Sequence, residues 1–274
     1  MIIFDCTCGS TPLYPFIASA FVYHRIVSSS SQPAPAHPEG PRAWVRETFR
    51  IRGFTGGLRY YAKGCFELLR DFTPARRRSR YGDIDYDFNH LVDTTWATVS
   101  LRTRIRELLA GGQYQPTEPN LFHQILHALP VSPEGFTFID LGSGKGRTLL
   151  MASDYPFRRI VGVELLAEFE AIARQNIVRY HDEQKKCFAL QSQLGDARDF
   201  VFPVEPTVVY LFNPFPEHVL RAVLANLRNS LTEAPRPAFV IYHNLVYERV
   251  LVDCEWLQAV YRTPQFAIYR ALQA

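Results

Sequence analysis

Short apolar runs alternate with segments of helical periodicity in the second half of the chain. Four of these runs consist almost entirely of apolar and β-branched residues, namely 136–140 (FTFID), 160–164 (IVGVE), 207–212 (TVVYLF) and 238–242 (AFVIY). Unbroken apolar strands are typical of a parallel sheet that is covered on both faces. The pattern therefore predicts four buried strands, and we expect one more strand before Gly195.

Helices are predicted between these strands. Two sets of apolar residues lie three or four positions apart, as a core-facing helix requires. They are Leu166, Phe169, Ala173, Ile177 and Tyr180, and Leu220, Val223, Leu227 and Leu231. Strands that alternate with helices predict an α/β fold with a doubly wound, mostly parallel sheet. Residues 259–262 and 266–269, joined by a turn at 263–264, predict a C-terminal β-hairpin.

The first part of the chain has a different character. Residues 28–41 form a Ser/Pro run, which is typical of a linker, so we expect residues 1–41 to be a flexible tail and linker. Residues 42–113 are predicted to be an extension of largely helical and irregular structure, with one or two helices within 44–72. Residues 114–274 are predicted to be the main domain.

Composition narrows the class of protein. The chain is 47% hydrophobic and 14% aromatic, which excludes a disordered chain. Its net charge of +3 is uneven, because residues 41–80 contain eleven Lys/Arg and three Asp/Glu and carry +8, while the remainder carries −5. This basic, aromatic segment is compatible with nucleic acid, an acidic protein or an anionic membrane surface, but packing with a solvated basic face is favoured. A nucleic-acid partner is not expected, because no recognised binding module is present.

The cysteines and the longest apolar runs indicate the compartment. Five cysteines without the spacing of a zinc site predict reduced thiols, no metal and a cytoplasmic protein. No apolar run approaches the ~18 residues that cross a bilayer. Residues 13–23 resemble the apolar part of a signal peptide, but they lack a preceding positive region, so we do not predict one.

The predicted first strand runs into a glycine-rich turn, residues 140–147 (DLGSGKGR). In such sheets ligands bind outside the carboxyl ends of the strands, and glycines let the backbone approach them closely. A P-loop would need glycine at Ile139 and Ser or Thr at Gly146, so this motif is excluded. A dinucleotide fingerprint would need Gly or Ala at Arg147, and Asp140 would repel the pyrophosphate.

A carboxylate beside a glycine-rich turn favours a cationic ligand instead. The pattern Asp140-x-Gly142-x-Gly144-x-Gly146 resembles the first motif of class I (seven-strand) S-adenosylmethionine-dependent methyltransferases, and the resemblance covers about residues 114–270. It implies a seven-stranded sheet and S-adenosyl-L-methionine as the cofactor. Asp140 would hold the cofactor's amino group directly or through water. The loop that would line the methionine and ribose parts consists of Gly142, Ser143, Gly144 and Gly146.

Two further strand ends support the resemblance. Glu164 closes the second strand 24 residues after Asp140, where its two oxygens can accept both ribose hydroxyls. Asp196 follows the third strand region, and the resemblance implies that an acid here accepts the adenine amino group, with Ala197 beside it.

The fourth strand ends at residues 212–216 (FNPFP), which would lie beside the transferable methyl group. Methyl transfer is an in-line displacement, so alignment of the nucleophile matters most. Asn213 and its neighbouring carbonyl can accept hydrogen bonds from an amine, and Phe215 would form a wall of the site. The segment resembles the Asn-Pro-Pro-aromatic signature of amino-directed methyltransferases, with Phe215 in place of the second proline. A turn that only starts the next helix is the alternative.

Residues 114–119 precede a predicted helix at 120–129. Thr117 or Glu118 can cap that helix. A similarly placed loop covers the cofactor in some class I protein-lysine methyltransferases, so Tyr114, Thr117 and Glu118 are also candidate lid residues. His243, at the end of the fifth strand, is a candidate base, although a polar cap is the favoured interpretation.

The sequence therefore predicts an S-adenosylmethionine-dependent methyltransferase that acts on a nitrogen nucleophile. A protein lysine is the first candidate acceptor and a small-molecule amine is the second. Two alternatives remain open at this point. One is an NAD(P)-binding oxidoreductase, and the other is a non-catalytic Rossmann-like scaffold that binds a partner. Residues 42–80 are also a candidate for peripheral membrane contact.

Overall fold

A computed structural model describes residues 41–71, 84–95, 99–110, 114–212 and 215–272. Almost all of the predicted tail and linker lies outside these ranges, and so do residues 76–80 of the basic segment. The helices are α1 (Pro41–Asp71), α2 (Ile84–His90), α3 (Leu101–Ala110), α4 (Pro119–His127), α5 (Arg147–Ala152), α6 (Ala167–Arg179), α7 (Glu217–Glu233) and α8 (Glu248–Val252). The strands are β1 (Thr137–Leu141), β2 (Arg159–Glu164), β3 (Leu190–Leu194), β4 (Thr207–Phe212), β5 (Ala238–His243), β6 (Leu257–Arg262) and β7 (Phe266–Ala271).

The strands form one seven-stranded sheet in the order β3-β2-β1-β4-β5-β7-β6. Strands β1 to β5 are parallel to one another, and β7 pairs antiparallel with both β5 and β6. The doubly wound, mostly parallel sheet with a C-terminal hairpin is therefore confirmed. This order places the carboxyl ends of β1, β2 and β4 side by side.

Burial explains which strands the sequence pattern revealed. Every residue of β1 and β5 is buried, as expected of strands covered on both faces. Strand β3 lies at the sheet edge, none of its residues is fully buried, and its sequence, LQSQL, is half polar. It therefore has no apolar run and was expected only from its place in the chain.

Successive side chains of β1 and β4 point into two different cores. Ile139 and Val209 belong to the core beneath α7 and α8, whereas Phe138 and Val208 belong to the core beneath α4 and α5. By the same alternation, Asp140 of β1 and its register partner Tyr210 of β4 face the α4 side.

The N-terminal extension is largely helical, as predicted. Helix α1 is broken into two segments at Gly53, where φ is 68° and ψ is 174°. Its second segment packs closely on α3, because a Cβ at Gly64 would lie 2.2 Å from the Leu108 side chain. Tyr60 adds a hydrogen bond from its hydroxyl to the Leu108 carbonyl at 3.4 Å. Within the described ranges, the helices are all too short or too polar to cross a membrane.

Candidate functional site

The turn after β1 is built from glycines in left-handed backbone conformations. Gly142 and Gly144 have φ of 92° and 55°, a region that residues with a Cβ rarely adopt. The amides of Gly142 and Ser143 both donate to the Val163 carbonyl, at 2.8 and 3.1 Å, which fixes the turn against β2. A Cβ on Gly144 would lie 2.4 Å from the Tyr114 ring, so the close approach of these two residues also requires glycine.

Two buried carboxylates meet at this turn. Asp140 and Glu164 are 3% and 7% exposed. The Thr148 hydroxyl donates to Asp140, while the amides of Gly144 and Leu166 each donate to one Glu164 oxygen at 2.8 Å. These partners are neutral, so none of them brings a positive charge to balance the negative charge of an ionised acid.

The pKa values of both acids respond to this burial. Burial raises the pKa of Asp140 to about 7, with a smaller opposing effect of the Thr148 hydrogen bond and a further increase from the charge of Glu164. Burial also raises the pKa of Glu164 to about 7, against the lowering effect of its backbone hydrogen bonds. A ligand with a positive charge or several donors would relieve this cost of desolvation.

The two cations of the glycine motif bind protein groups that come earlier in the chain. The Lys145 ammonium, 1% exposed, donates to Asp93 at 2.8 Å and to the Thr95 carbonyl at 3.0 Å. Arg147 donates to the Thr94 hydroxyl at 2.6 Å and pairs with Asp87 at 3.4 Å. These bonds anchor residues 84–95 to the glycine turn, so the cations have a structural role that the sequence did not reveal.

Asp196 lies at the cavity wall in an ion pair. Both of its oxygens accept from the Arg198 guanidinium, at distances from 2.6 to 3.1 Å. Arg198 also lies 3.5 Å from Glu47 of α1, and Glu47 lies 3.6 Å from His218 of α7. These charges connect the N-terminal extension to the main sheet.

One cavity brings most of the predicted site residues together. It is lined by Asp140, Gly142, Ser143, Gly144, Glu164, Asp196, Ala197, Phe215, Tyr114 and Thr117. Gly146 is instead the N-cap of α5 and packs against Ala173, where a Cβ would lie 3.2 Å from the alanine methyl carbon. Asn213 lies outside the described residues, so its predicted role stays a prediction.

Helix α1 forms an unexpected wall of the same cavity. The contributing side chains are Trp44, Glu47, Thr48, Ile51, Arg52 and Tyr60. The aromatic and basic composition of this segment is evident in the sequence, but the favoured interpretation was that its side chains only pack against the main domain. A signal was present in that interleaved pattern, but nothing local connected it with a glycine turn ninety residues further on.

The three candidate lid residues in the loop before α4 have different roles. Tyr114 donates to the Thr94 carbonyl at 2.7 Å, and its ring packs beside Phe169 with centroids 4.9 Å apart. It therefore covers the glycine turn. Thr117 is buried and its hydroxyl is 3.3 Å from the Tyr210 hydroxyl. Glu118 is exposed and its carboxylate caps α4 by accepting from Asn120 and Leu121.

His243 makes a polar contact with Tyr210, which lines the cavity. Its Nδ1 atom lies 2.8 Å from the Tyr210 hydroxyl, and its ring stacks on Phe212 with centroids 4.0 Å apart. Burial lowers the pKa of His243 to about 4, so the imidazole is neutral at pH 7. These contacts are those of a buried polar partner of Tyr210.

The strand order, the reversed seventh strand and the glycine turn after β1 decide the architecture. The fold is that of class I methyltransferases. Its cofactor would be S-adenosyl-L-methionine, and the residues present fit such a group. Besides the two buried acids, the Ser143 hydroxyl is buried at the cavity and has no hydrogen-bond partner within the described part of the chain.

No protein-family profile and no curated protein sequence matches this chain. Solved structures do. An RNA methyltransferase from Salinibacter ruber, in complex with S-adenosyl-L-homocysteine, is 22% identical over 58% of this chain and 94% of that one, with a TM-score of 0.39. A ribosomal protein L11 methylase from Lactobacillus delbrueckii is 14% identical over 59% and 81%, with a TM-score of 0.41. A dimethyladenosine transferase from Plasmodium falciparum is 12% identical over 58% and 62%, with a TM-score of 0.42. Their names indicate different acceptors.

Proposed function

We propose that this chain is an S-adenosyl-L-methionine-dependent methyltransferase. The observation that carries the proposal is the pair of buried carboxylates, Asp140 and Glu164, at a glycine turn that opens into a cavity. Buried acids with neutral partners favour a ligand that brings positive charge and hydrogen-bond donors. The cofactor offers an ammonium group, a sulfonium and two ribose hydroxyls, and it carries no phosphate.

Each part of the cofactor has a candidate partner. Asp140 would accept a hydrogen bond from the ammonium group, because Thr148 uses only one of its oxygens. Glu164 would accept the ribose hydroxyls through the lone pairs that the Gly144 and Leu166 amides leave free. Asp196 and Ala197 would lie at the adenine, with Arg198 holding the Asp196 carboxylate in a fixed orientation.

The same residues disfavour the two alternatives. A dinucleotide would place its pyrophosphate near Asp140 and Glu164, and it would find Lys145 and Arg147 already bonded to Asp93 and Asp87. A scaffold without catalytic function would have no need of two buried ionisable groups at a cavity, since buried charges destabilise a fold.

The acceptor is proposed to be a nitrogen nucleophile, with a protein lysine first and a small-molecule amine second. When bound, the cofactor would supply an electrophilic methyl carbon for in-line displacement. The chain's part would be to hold the nitrogen in line and keep water away. Asn213 would accept a hydrogen bond from the neutral amine and so orient its lone pair. Phe215, with Trp44 and Phe212, would provide an aromatic wall that suits the positive charge which develops on the nitrogen as it takes the methyl group.

The cofactor assignment can be tested by calorimetry. We expect S-adenosyl-L-homocysteine to bind the wild type and to bind Asp140→Asn and Glu164→Gln at least tenfold more weakly, since a hydrogen bond to a charged group contributes about 1.5–3 kcal/mol. The exposed residues Asp253 and Glu134 supply matched controls, Asp253→Asn and Glu134→Gln. Normal binding by both site variants, or preferential binding of NAD, would refute the proposal.

A separate experiment addresses the acceptor. The purified chain is incubated with lysate and cofactor labelled in the methyl group, and protein is separated from small molecules before counting. We expect label in protein, recovered as methyl-lysine after hydrolysis. Label found only in small molecules would favour the second acceptor class, and label in nucleic acid would contradict both proposed acceptor classes.

A further inference from the structure

The second segment of α1 presents an exposed apolar stripe to solvent. Phe54, Leu58, Ala62 and Phe66 follow one another at intervals of four residues, so they lie along one side of the helix. Phe54 is 76% exposed, Leu58 57% and Phe66 63%. The opposite side of the same segment packs on α3. An apolar stripe of this length on the exposed side of a helix indicates an interaction surface.

Basic residues flank this stripe. Arg59 and Lys63 are exposed and lie next to it on the helix surface, and Arg50 and Arg52 are exposed just before the break at Gly53. Residues 48–66 contain no Asp or Glu. Glu67 follows directly after Phe66 in the same helix. Up to Phe66, the stripe therefore offers both apolar contact and positive charge to an anionic partner.

We propose that α1 docks this stripe onto an anionic lipid bilayer. A helix with Phe and Leu on one side and Arg and Lys beside them is suited to lie in the bilayer interface, where the apolar groups enter the acyl boundary and the cations face lipid headgroups. Lys and Arg also reach the headgroups with their charged ends while their stems remain apolar.

Other occupants fit the surface less well. A second copy of the chain would bring Arg59 and Lys63 of the two copies together, and like charges disfavour that contact. Single-stranded nucleic acid would use stacking on aromatic rings, but the stripe places Leu58 and Ala62 between Phe54 and Phe66. A bilayer accepts all four side chains at once.

The stripe begins next to residues that line the cavity. Ile51 is 46% exposed and lines the cavity, as does the exposed Arg52, and Phe54 follows directly beyond the break. Docking of α1 would thus bring this side of the cavity near the headgroup region. The docking itself does not depend on methyl transfer and can be measured without it.

Flotation with lipid vesicles tests the proposal. The full chain is mixed with vesicles of phosphatidylcholine alone or with phosphatidylserine added, at low and high salt. We expect binding to the anionic vesicles that weakens at high salt. Because each basic residue near such a surface contributes about 1 kcal/mol, the double variant Arg59→Ala/Lys63→Ala should bind about 25-fold more weakly. Phe54→Ala/Leu58→Ala should bind at least tenfold more weakly.

Phe188→Ala is the matched control, because Phe188 is 78% exposed and lies outside α1. It should float like the wild type. Three results would overturn the proposal: equal flotation with both kinds of vesicle, an equal loss in the control, or a dimer in size-exclusion chromatography that Phe54→Ala dissociates. Circular dichroism confirms that each variant is folded.

Discussion

Replacing Asp140 with asparagine should stabilise the ligand-free protein while it weakens cofactor binding. Asparagine has the same shape, and its amide oxygen can keep the hydrogen bond from Thr148. The substitution removes a carboxyl group, and burial raises the pKa of this group from 3.8 to about 7. The folded protein thus keeps this proton up to about pH 7, whereas the unfolded chain releases it near pH 4.

The sign of the effect follows from this difference. Between pH 4 and pH 7 the folded state binds more protons than the unfolded state, so the wild type loses stability as the pH rises. One pKa unit corresponds to 1.36 kcal/mol, so Asp140 should lower the free energy of unfolding by about 2 kcal/mol between pH 5 and pH 7, and by nearly 3 kcal/mol between pH 5 and pH 8. Above about pH 8 its contribution is constant. Asparagine does not titrate, so the variant lacks this loss.

Urea unfolding of both proteins at pH 5 and pH 8 measures the effect. The free energy of unfolding of Asp140→Asn, relative to wild type, should be about 3 kcal/mol more favourable at pH 8 than at pH 5. Glu164 titrates in both proteins, and because its charge adds to the pKa of Asp140, the difference between the two proteins includes the coupling of the two acids. The control Asp253→Asn, at an exposed carboxylate, should show no such change. An equal difference at both pH values would refute the claim that Asp140 is an acid destabilised by burial.

Three further variants test other parts of the structure. Gly144→Ala should lower the melting temperature more than Gly135→Ala, because both positions have positive φ but only Gly144 lies against the Tyr114 ring; equal melting temperatures would contradict that close approach. Asp93→Ala should cost about 3 kcal/mol in urea unfolding by leaving the buried Lys145 ammonium without its carboxylate, and Lys145→Met in the same chain should recover much of it. Phe215→Ala should raise KM for the acceptor and leave S-adenosyl-L-homocysteine affinity unchanged in calorimetry, and weaker binding of that ligand would instead indicate a cofactor contact.

The sheet and its glycine turn could be predicted because their signals are local. Strands buried on both faces must be apolar throughout, so β1, β4 and β5 appear as unbroken runs. A backbone that adopts positive φ at Gly142 and Gly144 leaves a glycine pattern in the sequence. The acids at the ends of β1 and β2 were found because strand ends are where ligands bind in such sheets.

The contribution of the N-terminal extension could not be predicted, because it depends on tertiary contacts. Trp44 and Arg52 reach the cavity only because α1 packs beside the carboxyl ends of distant strands. Arg198 likewise pairs with Glu47 of α1, which lies far away in the chain. No periodicity or spacing relates such pairs. From its residue type alone, each member of such a pair could have paired with many other residues in the chain.

The bonds of Lys145 and Arg147 also have a consequence for comparing related sequences. Lys145 lies between two glycines of the turn and Arg147 directly follows the last of them, and each pairs with an acid in residues 84–95. A cation at either position is therefore of use only in a chain that also supplies Asp87 or Asp93. Among relatives, we expect the two charges of each pair to be gained and lost together. Their joint presence would then identify chains in which residues 84–95 are bound to the glycine turn by these ion pairs.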